Sequence, residues 1–544
     1  MLYRSRILKH RLLQTVALPL VLGMLMLACE RQSLPAEPPN IIFIFMDDHA
    51  SHSVSAYGSN LVHTPNIDRL AEEGLLFQNA FVTNSICAPS RGVLLTGKHS
   101  HINGQITNGQ RFDGSQMTFP QELQRNGYQT AMIGKWHLQS DPTGYDHWEI
   151  LPGQGTYYNP VFITPEGRNQ YEGYVTDIIT DKVIEWIDAN KDSEKPFLVN
   201  YHHKAPHRTW KPAPRHLGMF DDVDIPEPAT LFANWADELS DGSRLSDLAP
   251  DSELPVSRTS GVQTNEMSLM EHFTYAWDLK FPVDSVQGTA HWNIWNNHYN
   301  RFTDEQKALW DQFYTAYYEE YKELEPEGRE RLAWIYQRYI KDYISTIVAV
   351  DENVGKLLDY LEESGLADNT VVVYTSDQGF YLGDHGWYDK RWMYEESLHI
   401  PLLMRWPAAI KPGTVNNQLV QNIDFAPTLI DLARLQIPED VQGRSLLPMM
   451  LGEEPVDWRE SIYYHYYEYP GEHRVPRHYG VRTLTHKLIH YYQLGEWELF
   501  DLQNDPYEVQ NRYDDPAFFE VRDKLKEELY RLREHYQVPE EDPV

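Results

Sequence analysis

The sequence predicts a layered α/β protein followed by a smaller α+β C-terminal domain, and three observations carry that prediction. Short apolar runs recur, each ending in a cluster of polar residues, as strands buried on both faces do. Between them lie helical patterns, the clearest placing Ile344, Ile347, Val348, Val354, Leu357, Leu358 and Leu361 on one face before Gly365. After about Gly443 the pattern changes to Tyr-rich strands and a charged helix. With 544 residues, 41% of them hydrophobic and 13% aromatic, the chain can bury one large core and one smaller one.

The elements follow in order. Arg4, Arg6, Lys9 and Arg11 precede an apolar stretch from Val16 to Leu27 that is short for a membrane span and flanked like a secretory signal. Its end, Met26-Leu27-Ala28-Cys29, looks like the lipobox of bacterial lipoproteins, so residues 1–28 read as a signal peptide and Cys29 as the lipidated residue. Residues 29–39, with Pro35, Pro38 and Pro39, read as a tether. The main domain spans residues 40–442. Its strands are Asn40 to Met46, ending in Asp47-Asp48; Gln129 to Ile133, ending in Gly134-Lys135-Trp136-His137; Phe197 to Tyr201, ending in His202, His203 and His207; and Thr370 to Tyr374, ending in Ser376-Asp377-Gln378-Gly379. Ligands of open α/β sheets bind outside the carboxyl ends of strands, so these clusters point to one site built from distant segments. From about 210 to 328 the chain is acidic, aromatic and Pro-rich with weak periodicity, which reads as an insertion over the sheet. Residues 443–544 form the C-terminal subdomain, with strands expected over Ser461 to Tyr469 and Tyr479 to Tyr492 and a helix from about Pro516 to Tyr536.

Composition narrows the partners. The chain carries 47 basic and 80 acidic side chains, a formal charge of −33, which argues against nucleic acid. Two cysteines, Cys29 and Cys87, allow at most one disulfide and no Cys-rich zinc or iron–sulfur site.

Cys87-Ala88-Pro89-Ser90-Arg91-Gly92 holds the densest chemistry. Pro89 suits the first turn of a helix, whose N-terminus offers N–H groups and a positive dipole to a tetrahedral anion, and Arg91 adds a full charge. This hexapeptide resembles the signature of type I sulfatases of the alkaline phosphatase superfamily, in which a C-x-P-S-R cysteine is oxidised to formylglycine. The resemblance runs from Asn40 to about Asn511 and implies the large central mixed sheet of that superfamily, flanked by helices, with an antiparallel sheet in the C-terminal subdomain.

Further motifs extend it. Asp47-Asp48 and Asp377-Gln378 match the family's two metal-binding dipeptides, and with residue 87 they imply a Ca²⁺ site, because carboxylate and amide oxygens are hard donors. Gly134-Lys135-Trp136-His137-Leu138, Lys204-Ala205-Pro206-His207 and Asp389-Lys390-Arg391 match segments carrying catalytic lysines and histidines. The resemblance therefore implies Cys87, Arg91, Lys135, His137, His207 and Lys390 as catalytic residues. In that mechanism a hydrated aldehyde at position 87 attacks sulfur, with Asp377 assisting its deprotonation. Ca²⁺, Lys135, Lys390 and Arg91 stabilise charge on the sulfuryl group. His207 with Lys390 protonates the leaving alcohol, and His137 removes the proton that releases sulfate. Glu498 to Glu508 resembles the family's C-terminal signature and reads as a turn packing the small domain on the large one. The basic segment His473-Arg474-Val475-Pro476-Arg477-His478 offers His473, Arg474 and His478 as substrate-binding residues.

The implied activity is that of an exported sulfatase. Asp377 to Trp387 looks most like bacterial polysaccharide sulfatases, with algal ulvan and glycosaminoglycans carrying glucosamine 6-sulfate as the two substrate classes. Implied partners are a sulfated polysaccharide or oligosaccharide, a formylglycine-generating maturation enzyme and, through the lipid anchor, a membrane in the periplasm or at the outer surface. A phosphodiester or phosphonate monoester hydrolase of the same superfamily, and a non-catalytic glycan-binding lipoprotein, are the rival readings. The acidic total does not conflict with an anionic substrate. Whole-protein charge is screened beyond roughly 8 Å, while a cation with Lys135, Lys390 and Arg91 sets the local potential.

Overall fold

Strand β1 (Asn40–Asp47) lies within the large sheet, and its sequence, NIIFIFMD, is buried at every position after the first. Ile41, Phe43 and Phe45 enter one apolar core, whereas Ile42, Ile44 and Met46 enter another on the opposite face. Each such side chain contributes about 1.5–3 kcal/mol on burial, so the continuous apolar run commits β1 to a covered sheet. The computed structural model describes residues 34–232, 267–270, 273–281 and 290–541. The signal segment and Cys29 lie outside the described residues.

The remaining strands of the main domain are β2 (Leu75–Phe81), β3 (Gln129–Lys135), β4 (His147–Leu151), β5 (Val161–Thr164), β6 (Gly167–Gln170), β7 (Phe197–Pro206), β8 (Thr370–Ser376), β9 (Tyr381–Leu382), β10 (Tyr388–Asp389), β11 (Leu402–Arg405) and β12 (Thr414–Gln421). Nine of them join β1 in one ten-stranded sheet in the order β12-β2-β11-β8-β1-β7-β3-β4-β5-β6, with β9 and β10 making a separate ribbon. The run β8-β1-β7-β3-β4 is parallel, while β11 is antiparallel to both its neighbours and β4, β5 and β6 alternate in direction. This is the mixed sheet that the resemblance implies.

Helices cover both faces. Cys87–Thr96 and Phe425–Leu432 pack into the core on one side, and Val175–Asn190 and Gly328–Glu363 into the core on the other. The last is 36 residues long and buries the predicted stripe, ending where Gly365 at φ 72° lets the Leu366 N–H return to the Leu361 carbonyl at 3.0 Å.

Four differences from the expectations have local causes. The weakly periodic insertion contains helices Ala290–Tyr299 and Asp304–Leu324, the second opened by a capping box between Thr303 and Gln306. The segment Tyr479 to Tyr492 is two strands, because the chain turns between β14 (His478–Thr483) and β15 (His486–Tyr491). With β13 (Ser461–Tyr466) and β16 (Glu496–Asp501) they make an antiparallel meander in the order β13-β14-β15-β16, which the helix Phe519–His535 covers. Glu498 therefore sits in a strand and not in a turn. It still serves the seam, accepting from Tyr394 Oη at 3.0 Å, while Glu508 accepts from the Glu395 N–H at 2.7 Å. The end of the expected tether is also held down. Arg434 donates to the carbonyls of Pro35, Ala36 and Glu37, and Tyr128 Oη to that of Pro39 at 2.9 Å.

Candidate active site

Four adjacent parallel strands deliver their polar ends to one edge of the sheet. Asp47 and Asp48 come from β1, Asp377 and Gln378 follow β8, Lys135 ends β3 and His207 follows β7. β2 shares that direction, since it is antiparallel to β11 as β8 is, and it leads into the Cys87–Thr96 helix. Gly134 makes the close approach possible: at φ 113° a Cβ there would lie 1.8 Å from the His202 carbonyl oxygen.

The carboxylates are laced together. The Asp48 N–H donates to Asp377 Oδ1 at 3.1 Å, the Asp377 N–H to the Met46 carbonyl at 3.1 Å, and Tyr343 Oη to the Asp48 carbonyl at 2.8 Å. Asp48 has φ 68°, so these contacts hold a left-handed backbone that Asp tolerates better than most residues. Around them sit buried cations. Arg91 donates to Asp377 Oδ2 at 3.0 and 3.2 Å and to the Lys135 carbonyl at 2.7 Å, and its Nη2 lies 3.8 Å from Asp47. Lys135 pairs with Asp47 and Gln154. Lys390 donates to both oxygens of Asp48 at 2.7 and 2.8 Å.

The donor set suits a divalent cation. Asp47, Asp48 and Asp377 each offer an oxygen within 4.8 Å of the others, and Asp47, Cys87 and His207 form an overlapping group of the same size. Asp47 Oδ1 and Gln378 Oε1 are buried and accept no hydrogen bond among the described residues, which is costly unless another partner fills the space. Hard oxygens in this number fit calcium. Gln378 turns its amide nitrogen to Asp48 at 2.5 Å and to Cys87 Sγ at 3.5 Å, leaving its oxygen for a cation.

Protonation follows burial. Cys87 is 1% exposed, and burial pushes its thiol up to about 12, so an unmodified thiolate is scarce at neutral pH. Burial also raises the Asp48 carboxyl above the usual range, against the pull of Lys390. His137 and His207 are held well below the ordinary imidazole value, by burial first and then by Lys135 and other nearby cations. An anionic ester among these cations opposes the Coulombic part of that shift. Lys204, also buried, is lowered to about 7 by desolvation.

The structure brings Cys87, Arg91, Lys135, His137, His207, Lys390, Asp47, Asp48, Asp377 and Gln378 together. His202 and His203 are packing groups: the first shares the Lys135 carbonyl at 3.2 Å, and the second lies 4.5 Å from the Tyr201 ring. His473 reaches the rim, with Nε2 3.5 Å from Asp389, whereas Arg474 is exposed. His478 is fully buried. It bonds the Pro476 carbonyl at 2.8 Å and packs among Trp392, Tyr464 and Tyr466, which leaves no face for a substrate. Sequence reasoning missed the rim pair Asp389 and Arg391, which flank Lys390, and Arg208, which pairs with Asp278 of the insertion. No local motif marks the Arg208–Asp278 pair, which joins segments only in the fold, whereas Asp389 and Arg391 lie within the Asp389-Lys390-Arg391 match, to whose lysine alone the resemblance assigns a role.

A cysteine opening a helix, laced carboxylates and a ring of buried cations define a hydrolase of anionic esters. Residues 39–435 match the Sulfatase family and residues 383–535 match the N-sulphoglucosamine sulphohydrolase C-terminal family. The chain is 45% identical to the N-acetylglucosamine-6-O-sulfatase of Bacteroides thetaiotaomicron, over 97% of its own length and 92% of that protein. A solved structure of a protein in complex with its substrate D-glucosamine-2-N,6-O-disulfate superposes with a TM-score of 0.85 at 45% identity, covering 93% of this chain and 99% of that one. An ulvan-active sulfatase of Formosa agariphila is 26% identical over 92% of this chain and 81% of that protein. The chain belongs to the sulfatase family and is a sulfuric ester hydrolase.

Proposed function

We propose that this sulfatase removes the 6-O-sulfate from glucosamine residues of glycosaminoglycan-derived saccharides. It uses a formylglycine made from Cys87 by a maturation enzyme and a calcium ion held by Asp47, Asp48, Asp377 and Gln378. The substrate rests on the likeness to the Bacteroides N-acetylglucosamine-6-O-sulfatase, which far exceeds the likeness to the ulvan-active sulfatase. The modification is favoured by the buried thiol, a poor nucleophile at a position that opens a helix.

Formylglycine supplies, as its hydrate, the oxygen nucleophile, and bound calcium supplies charge neutralisation beside it. Asp377 takes the proton that the nucleophilic oxygen loses. Arg91, Lys135 and Lys390 face the sulfuryl oxygens, in a site dry enough for fixed charges to act strongly. His207, with Lys390 beside it, gives a proton to the leaving sugar oxygen. His137 accepts the proton released when sulfate departs, and its Nδ1 has no hydrogen-bond partner among the described residues. His473, Asp389 and Arg391 line the rim where the sugar enters. Export and lipidation at Cys29 belong to the same proposal and place the enzyme in the periplasm or on the outer membrane surface. Mass spectrometry of the membrane-extracted N-terminal peptide reads that part directly.

The deciding experiment measures sulfate release from glucosamine 6-sulfate oligosaccharides, ulvan oligosaccharides and an aryl phosphodiester, with mass spectrometry of the peptide spanning residue 87. Preferential desulfation of the glucosamine substrates by formylglycine-bearing protein is expected. Preference for ulvan overturns the substrate, preference for the phosphodiester overturns sulfatase as the main activity, and full activity with unmodified cysteine overturns the nucleophile.

A further inference from the structure

We propose that Arg208 and Asp278 form a clamp that positions His207, so that the insertion governs proton delivery to the leaving group. The clamp rests on the reading of His207 as the proton donor.

The His207 ring has one close hydrogen bond, from Nδ1 to the Arg208 carbonyl at 2.7 Å, and its Nε2 lies 3.7 Å from Asp48. An acceptor at Nδ1 keeps a proton on that nitrogen and turns Nε2 toward the reacting atoms. The ring is therefore aimed by a backbone carbonyl, and the carbonyl is held in place from several directions. Lys204 Nζ donates to the same oxygen at 3.2 Å, and Tyr157 Oη donates to the His207 carbonyl at 2.8 Å. The Arg208 side chain makes the longest link. Its Nε and Nη2 donate to Asp278 Oδ1 and Oδ2 at 2.7 and 2.6 Å, a bidentate pair of the kind that specifies orientation as well as energy. The guanidinium lies over two rings, 4.7 Å from the Trp277 centroid and 4.8 Å from that of Tyr388. Tyr388 is two residues before Lys390, so one buried cation touches both segments of the leaving-group side.

Asp278 is itself fixed. Its Oδ2 accepts from the Thr274 N–H at 2.8 Å and from Thr274 Oγ1 at 3.0 Å, and its carbonyl accepts from Lys280 Nζ at 2.8 Å. Lys280 also bonds Asp342 of the 36-residue helix at 2.5 Å. A chain of contacts thus runs from the scaffold helix through the insertion to the His207 ring.

In the step this serves, the nucleophilic oxygen at position 87 forms a bond to sulfur as the S–O ester bond breaks, and the electron pair of the broken bond stays on the sugar oxygen. That oxygen takes the proton from His207 Nε2, leaving a neutral ring with Nδ1–H still on the Arg208 carbonyl. A sugar alcohol needs that proton, whereas the phenolate of 4-methylumbelliferyl sulfate leaves without it. A misaimed His207 therefore harms the first substrate selectively.

The test uses full-length, formylglycine-bearing protein with the variants Asp278→Asn, Arg208→Lys and His207→Ala. Asp278→Asn is expected to lower kcat on a glucosamine 6-sulfate saccharide by about 10²-fold, the scale of an ångström of misplacement, with KM little changed. Activity on 4-methylumbelliferyl sulfate should fall by less than about 3-fold. Arg208→Lys keeps the charge, loses the bidentate geometry and should show the same split, which covers a poorly folding Asp278→Asn. Equal losses on both substrates in the two clamp variants mean a structural role and overturn the clamp. A split in His207→Ala with none in the clamp variants overturns the clamp alone. No split in His207→Ala overturns the reading of His207 as donor, and the clamp with it.

Discussion

The nucleophile side and the leaving-group side of the site are built differently. Asp47, Asp48, Lys135 and Asp377 sit at or just beyond the ends of neighbouring parallel strands, and Arg91 joins them from a buried helix. His207 and Lys390 lie in loops, and the Arg208–Asp278 and Asp389–Arg391 pairs that surround them join segments far apart in sequence or bend the chain locally at positive φ. Strand register sets the first side to within the tolerance of a hydrogen-bonded sheet. Buried ion pairs lace both sides, but the second also depends on contacts with the insertion, through Arg208 and Asp278.

The largest expected effect falls on the nucleophile side. Cys87→Ala should lower sulfate release by at least about 10⁴-fold, since no other group supplies the nucleophile. Substantial activity in that variant would show that the two sides do not divide the chemistry as described. Next, Asp47→Ala should abolish tight calcium binding and turnover together. It also strands the buried Lys135, at a cost of about 3–5 kcal/mol. Calorimetric titration of calcium checks it, and unchanged affinity would remove Asp47 from the metal site. Lys390→Met, where the two sides meet, should lower kcat by about 10²–10³-fold through lost charge stabilisation, measured by sulfate release at saturating saccharide.

The smallest effect is a pH dependence. Burial raises the Asp48 carboxyl in the metal-free fold. A raised folded-state value means that the ionised form is penalised, so metal-free stability falls as pH rises from the ordinary carboxylate range through the folded value. Calcium at the proposed site would bind the ionised form and remove that penalty. At about a hundred times its Kd it stabilises by about 2.7 kcal/mol, and its shift of the unfolding midpoint should be larger at pH 8 than at pH 5. An equal shift at both values would place the raised carboxyl outside the calcium site.

Legibility in the sequence followed the same division. Every nucleophile-side residue stood next to an apolar run or inside Cys87-Ala88-Pro89-Ser90-Arg91, because local chain geometry places it. The Thr303-Asp304-Glu305-Gln306 capping box marks a helix start inside the weakly periodic insertion, where the surrounding pattern gives no other sign of it. His478 misled because a histidine in a basic segment looks available, and only the packing of Trp392, Tyr464 and Tyr466 encloses it. The single run Tyr479 to Tyr492 hid a hairpin, since Thr483-Leu484-Thr485 carries no glycine or proline to mark the turn.

The sequence by itself determined a layered α/β core with a smaller C-terminal unit, and its Cys87–Arg91 and strand-end motifs carried the resemblance that implied the sulfatase family, the mixed sheet and the residues at its edge, because continuous apolar runs and short motifs are local properties of the chain. Only the tertiary structure decided which histidines face the site, how Arg208 meets Asp278, and that His473 of the C-terminal subdomain meets Asp389. Those contacts join segments with no shared local signal, and their strength comes from burial, which exists only once the sheet, the insertion and the C-terminal meander have packed.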